Sequence, residues 1–451
     1  TTPNTGYSNF KTLTKYLFDK LGRATAIQKQ FGSNAFKTIT EYTYDDIGRL
    51  KRKTLAHGYT GGGNANLETL DYSYNIHSQL TGINKDYALK NTDLSKWGHY
   101  FGMYLGYDNK DNRFNNANLT GQVTGILWST QGDDAQRRYN LGYDNAGRLS
   151  NADFTEKKHT GDAWSNANMD FSAKGTAGNI TYDLNGNLLN MLHKGVLPGS
   201  AAPITVDDLS YQYAAYSNKL QSVTDNMTET TVNGLFGDFK DGSNGSMPDY
   251  VYDNNGNVVI DLNKNAKDLN NIAGNGIKYN FLDKPEEIRI AGKGVIKITY
   301  SAAGEKLQRK FISETEDLIK TTTYINQYIY DESTTIAGTV ISPIALSAIQ
   351  FEEGRIRIIT PTAQNNGWDA LAVDGNIDLP NGKRGAYDYY LMDYQGNVRM
   401  ILTEETHVAA NTATMETNRA TLEESIFGQT GGGNEVAATR YDTPPAWSGN
   451  K

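Results

Sequence analysis

The chain contains no cysteine, which excludes disulfides, thiolate metal sites and a cysteine nucleophile together, and which fits a reducing or an oxidising compartment equally well. Proline is scarce, at 10 of 451 residues, and a long β-rich chain with few prolines is expected to fold slowly. No basic stripe is present: 43 Lys and Arg are mixed along the chain with 51 Asp and Glu, for a formal charge of -8. That balance excludes nucleic acid as the main ligand. The longest apolar stretch, 340–351, is short and interrupted by Ser342 and Pro343, so it cannot cross a bilayer and the chain is not read as membrane-spanning. Conventional catalytic signatures are also missing. The six His are scattered, and there is no H-E-x-x-H, G-x-S-x-G or phosphate loop. The opening TTPNTGYSNF has no Met, basic segment or apolar segment, so it reads as the start of a mature form or an internal piece.

What the chain has in excess is Tyr and Gly, 29 and 45 residues. Tyr suits a half-buried pleated surface and Gly suits the turns between strands, so the composition predicts many short hairpins. A repeat carries them. Tyr44-Asp45-Asp46-Ile47-Gly48-Arg49-Leu50 returns with small changes at Tyr143-Asp144-Gly147, Tyr182-Asp183-Gly186 and Tyr252-Asp253-Gly256, and an earlier relative starts at Phe18-Asp19. Weaker copies centre on Tyr74, Tyr107, Tyr213, Tyr279, Tyr300 and Tyr330. Successive Tyr positions lie 21 to 39 residues apart, the length of a supersecondary unit of two or more strands. In each unit Asp opens a turn by accepting a local N–H, and Gly three residues later supplies positive φ. The segment DYYLMDYQGNVRMIL, 388–402, is the best-written hairpin, with Asp393, Gly396, Asn397 and Arg399 at its turn.

Other candidates have plainer explanations. Asp261-Leu262-Asn263-Lys264-Asn265 opens like a calcium loop but has Ala266 where the bend needs Gly and Ile272 where a bidentate Glu belongs, so no metal or cofactor is expected. The acid pairs Glu286-Glu287, Glu352-Glu353, Glu404-Glu405 and Glu423-Glu424 read as solvated charge, because neighbours on a strand point to opposite faces. Two-Tyr rows such as Tyr42 with Tyr44 and Tyr250 with Tyr252 read as cross-strand packing. Sugar binding is the alternative for those rows.

Y-D-x-x-G-R/N-L at these intervals resembles the RHS/YD-repeat family, and 388–402 resembles its RHS-associated core segment in the D-x-x-G-N-V-R form of Bacteroidetes-type bacteria. The resemblance covers about Tyr16 to Leu402. It implies an all-β fold, a spiralling antiparallel hairpin ribbon forming a hollow shell or barrel, with its concave face around a space. It divides the chain into repeats at 1–385, a core hairpin at 386–403 and an extension at 404–451 that continues further; the residues of that extension themselves read as a minor helix over 414–426. It implies a non-enzymatic, secreted or surface-exposed shell of a larger bacterial protein, whose partners are its own C-terminal effector and a secretion machinery. The alternative is an adhesin or carbohydrate-binding scaffold that meets a surface glycan. Some members cleave themselves at a D-P-x-G element beyond the core hairpin. Asp393 and Arg399 match the core pattern, but no D-P-x-G occurs downstream of them. Finally, the full motifs are expected to join laterally in one continuous sheet.

Overall fold

The computed structural model describes residues 11–59, 66–90, 98–108, 113–133, 135–159, 161–196, 202–227, 238–242, 248–268, 270, 274–359, 370–374, 377–379, 383–404 and 406–410. Within them nearly every regular element is an antiparallel strand, and the one helix is the single turn Lys85–Ala88. The all-β hairpin ribbon is therefore borne out. The helix expected over 414–426 and the acid pair Glu423-Glu424 lie outside the described residues.

Alternation sets the strands. In Leu149–Lys157 the residues Ser150, Ala152, Phe154 and Glu156 are buried while their neighbours are more open, the period of two that a strand with one covered face requires. Fifteen strands, from Thr12–Phe18 to Leu220–Asp225, form the first sheet, nearly all bonded in chain order. Tyr250–Tyr252 and Val258–Asp261 make a separate pair, and eleven further strands run from Ile277–Tyr279 to the hairpin Arg384–Met392 and Val398–Thr403. The one continuous sheet expected from the repeat is thus interrupted on either side of the Tyr252 hairpin. The motifs at Tyr44, Tyr143 and Tyr182 belong to the first sheet, and the core hairpin to the last. Ala370–Asp374 pairs with Thr406–Ala410 apart from both large sheets.

The repeat turns share one construction. In the Tyr44 unit the Asp45 N–H donates to the Arg49 carbonyl at 2.9 Å, and the Gly48 N–H to the Asp45 carbonyl at 3.0 Å. The Asp45 carboxylate accepts the N–H groups of Ile47 and Arg49. Gly48 closes the turn at φ +90, where a Cβ is strained. A one-residue register shift falls at the Tyr of each full motif. Such bulges bend a strand and raise its twist, so repeating them along one edge curls the ribbon.

Replacing Gly256 (φ +91) by Val should cost roughly 1–3 kcal/mol, all of it backbone strain, because an added Cβ would meet nothing within 4 Å. Gly147→Val should lose a similar amount, and Ala146→Val much less. Equal losses at 146 and 147 in urea denaturation would refute this turn.

Candidate functional site

Two arrangements of side chains define what this ribbon does. One links repeat to repeat, and the other joins the two ends of the chain.

Along the ribbon the repeat Tyr is a hydrogen-bond donor to the unit before it. Tyr44 donates to the Ala24 carbonyl, Tyr74 to Leu50, Tyr107 to Leu80, Tyr143 to Val123, Tyr182 to Leu149, Tyr213 to Leu188, Tyr252 to Leu220, Tyr279 to Val258 and Tyr300 to Pro285, at 2.7 to 3.1 Å. Each acceptor lies at or near the head of the previous return strand. Several of the rings are covered by the preceding unit's cation, with Arg23 over Tyr44, Arg49 over Tyr74 and Arg148 over Tyr182 at 4.5 to 4.6 Å. Packing in Tyr rows was the sequence reading. The observed role is a staple from a hydroxyl to a main-chain carbonyl, with a cation on the ring face.

The residue after the turn Gly ties neighbouring turns together. Arg148 bonds Asp144 through Nε and reaches the Asp183 carbonyl through Nη1, while Gln122 donates to the Gly147 carbonyl. In the Tyr182 and Tyr252 units Asn187 and Asn257 take this place, bonding Asp183 and Asp253 beside Gly186 and Gly256. The Asp144 carboxyl is held below its usual range, first by the Arg148 N–H and then by its guanidinium. Tyr330 does not fit the series. It stands inside the strand Tyr328–Thr334 rather than ahead of a motif turn.

These staples carry the ribbon across its breaks. Tyr252 donates from the two-stranded piece to Leu220 in the first sheet, and Tyr279 donates from the eleven-stranded sheet back to Val258 in the piece. Tyr252→Phe is expected to lose about 0.5–1.5 kcal/mol, the net worth of one such bond. Hydrogen exchange in Leu220–Asp225 and Tyr250–Tyr252 should rise with it, and unchanged exchange there would contradict the assignment.

The second arrangement is a seam between the first repeats and the last strands. Glu352 and Glu353 form the two-residue turn between Val340–Phe351 and Gly354–Ile359. Glu352 meets Lys29 at 3.0 Å and accepts from the Tyr16 hydroxyl at 2.8 Å. Glu353 meets Lys53 at 2.9 Å and accepts from Tyr42 at 2.7 Å. Glu404, just past the core hairpin, meets Lys37 at 2.8 Å and accepts from Tyr389 at 2.9 Å. Each carboxylate thus lies between one Lys and one Tyr. Lys29 and Lys37 are directly opposite on paired strands, where like charges repel, and their neutralising partners come from the far end of the chain.

Reading Glu352-Glu353 and Glu404-Glu405 as solvated charge is therefore corrected at Glu353 and Glu404, which are buried; Glu405 lies outside the described residues. The acids face lysines that sequence distance hid. Burial pushes Tyr389 well above the usual phenol range, and the adjoining Glu404 adds to the shift. Behind the ion pairs, one apolar cluster joins Phe31, Ile39 and Leu55 to Ile349, Ile356 and Tyr389. Phe31 meets Tyr387 edge-on at 6.1 Å. The two ends of the ribbon thus meet through a packed core.

The core hairpin reaches into this region. Asp393 is buried and accepts the N–H groups of Gln395 and Asn397 as well as the Arg399 Nε at 2.7 Å, with Gly396 at φ +83. The Asn397 amide bonds it too. Asp393 and Arg399 serve each other within the turn, and Tyr394 and Met400 rest on the seam core.

For metals, Asp261-Asn265 is a turn whose side chains hold backbone: Asp261 accepts the Lys264 N–H, and Asn263 accepts that of Gly242. A cluster the sequence did not single out brings carboxylate oxygens of Asp207, Asp225 and Asp238 within 4.8 Å of one another. They are hard oxygen donors of the type calcium takes, although three acids alone do not make a site. Among the described residues no helix is long and apolar enough to cross a membrane.

The fold and seam define a closed antiparallel hairpin ribbon. The structure is similar to a chain of the Photorhabdus luminescens Tc holotoxin pore with a mutated TccC3, at a TM-score of 0.50 and 13% identity over 87% of this chain. The chain spans 16% of that chain's length. A crystal structure of TcdB2-TccC3-TEV aligns over 88% of this chain and 17% of its own at 13% identity, with a TM-score of 0.40. No protein-family model and no curated protein matches the sequence.

Proposed function

We propose that this chain is the shell portion of a larger secreted or surface-exposed bacterial protein of the RHS/YD-repeat type, and that it encloses or presents a C-terminal effector. The observation that carries the reading is the seam. A ribbon whose last strands return to its first repeats, through three ion pairs and a shared core, is built as a container wall rather than an open array. The likeness in fold to a Tc holotoxin chain supports it. In this reading the repeats at 1–385 form the wall, 386–403 the closing hairpin and 404–451 the start of the extension toward the effector. Secretion machinery is the further partner, and the chain itself has no catalytic role.

The adhesin reading draws less support, because the repeat tyrosines that would stack on a surface glycan have their hydroxyls bonded to carbonyls, and rings such as those of Tyr74 and Tyr182 are covered by cations. The test is protection. In the full-length protein the segment beyond 451 should resist trypsin while joined to the wall and be cut quickly when expressed alone. Equal digestion in both forms would end the container reading.

A further inference from the structure

We propose that the seam is an acid-operated latch: protonating the glutamates at 352, 353 and 404 opens the contact between the first repeats and the last strands while the ribbon itself stays folded. The inference stands on the seam geometry and does not depend on what the wall encloses.

The groups facing each acid are few. Lys29 and Tyr16 face Glu352. Lys53, Tyr42 and Tyr72 surround Glu353. Lys37, Tyr389, Tyr387 and Tyr59 surround Glu404. Among these neighbours every base is a lysine and every other titratable group is a phenol, classes of side chain that keep their charge state between neutral and acid pH, whereas carboxylates do not. When one takes a proton its lysine remains charged. Lys29 is 4% exposed and Lys53 15% exposed at the side chain, and a buried ammonium that has lost its counter-ion favours the open state.

The rest of the ribbon is held differently. Its strands are joined by main-chain ladders and its repeats by neutral Tyr O–H to carbonyl bonds, neither of which titrates in acid, and ion pairs such as Arg137 with Glu156 lie between strands that such a ladder already holds together. Repeat-turn aspartates such as Asp45 and Asp144 are partly exposed and pair with partly exposed arginines of their own turn, so losing that pair costs less than losing a buried one. The direction agrees with Glu352, where burial raises the carboxyl pKa but its hydrogen bonds, including those from Lys29 and Tyr16, bring it below the usual range. Its contribution is present above the ordinary glutamate range and disappears as pH falls through the lower folded value. Two further hydrogen bonds across the seam, Thr12 with Tyr328 and Asn34 with the Asp378 carbonyl, are neutral and do not respond.

Hydrogen exchange with mass spectrometry on the whole chain tests this, at neutral pH and from about pH 4 downward, near the free carboxylate range. After correction for intrinsic rates, peptides of Ala24–Phe31, Leu50–Leu55 and Gly354–Ile359 should lose at least about tenfold more protection in acid than Gln136–Lys157, a factor equivalent to one pKa unit. E352Q/E353Q/E404Q should show the weakened seam already at neutral pH, with Gln136–Lys157 still protected as proof of folding. K53M/E353Q replaces one clamp by a neutral pair of similar shape and should blunt the acid response around Leu50–Leu55. Loss of protection at equal pH in seam and reference, an unchanged seam in acid, or a full acid response in K53M/E353Q would each overturn the proposal.

Discussion

Replacing Lys53 by Met is expected to cost about 3–5 kcal/mol, because it leaves Glu353 buried without its counter-charge. The two side chains are 15% and 10% exposed and meet at 2.9 Å. Tyr42 still donates to Glu353 but carries no charge. The adjacent residue supplies the control. Arg52, on the same strand as Lys53, pairs with Asp71 of the next strand, but those side chains are 53% and 46% exposed, so Arg52→Met should cost no more than about 1 kcal/mol. Urea denaturation of both variants separates the cases. Equal small losses would mean that the ribbon does not depend on its ends meeting.

The second large effect is in the seam core. Ile356 is fully buried within the cluster that joins first repeats and last strands. Ile356→Ala removes three carbons from a packed site and should cost about 2–5 kcal/mol through lost burial and the cavity left behind. Ile341 sits in the open first part of its strand, and Ile341→Ala should stay within roughly 0.5 kcal/mol. Thermal melts of the pair provide the check. A mild effect at Ile356 would mean that the two layers do not pack as described.

The parts of this fold legible in the sequence are those whose physics is local. Asp45 with Gly48, Asp144 with Gly147 and Asp393 with Gly396 mark turns because the carboxylate and the positive φ act within five residues. Weaker copies were recognisable for the same reason, although Ser78 and Asp283 occupy the Gly position at φ +61 and +52. Range defeats the rest. A Tyr hydroxyl bonds a carbonyl 15 to 33 residues upstream, and nothing in the motif indicates which atom accepts it. The seam is further out of reach, since Lys53 and Glu353 are 300 positions apart and Lys37 and Glu404 are 367. Adjacent glutamates look solvated until the fold brings lysines to them. Tyr330 misled in the other direction, because a Tyr-Asp pair within a strand imitates the repeat without its turn.

The central claim is that the last strands close upon the first repeats, and zero-length carbodiimide cross-linking reads it directly. The reagent fuses an ammonium to a carboxylate only where the two already touch, and the chain needs no added label. The account predicts a Lys29–Glu352 cross-link at neutral pH, accompanied by Lys53–Glu353 and Lys37–Glu404, in peptides identified by mass spectrometry. Cross-links confined to sequence neighbours, with none joining the first repeats to residues 349–404, would contradict it.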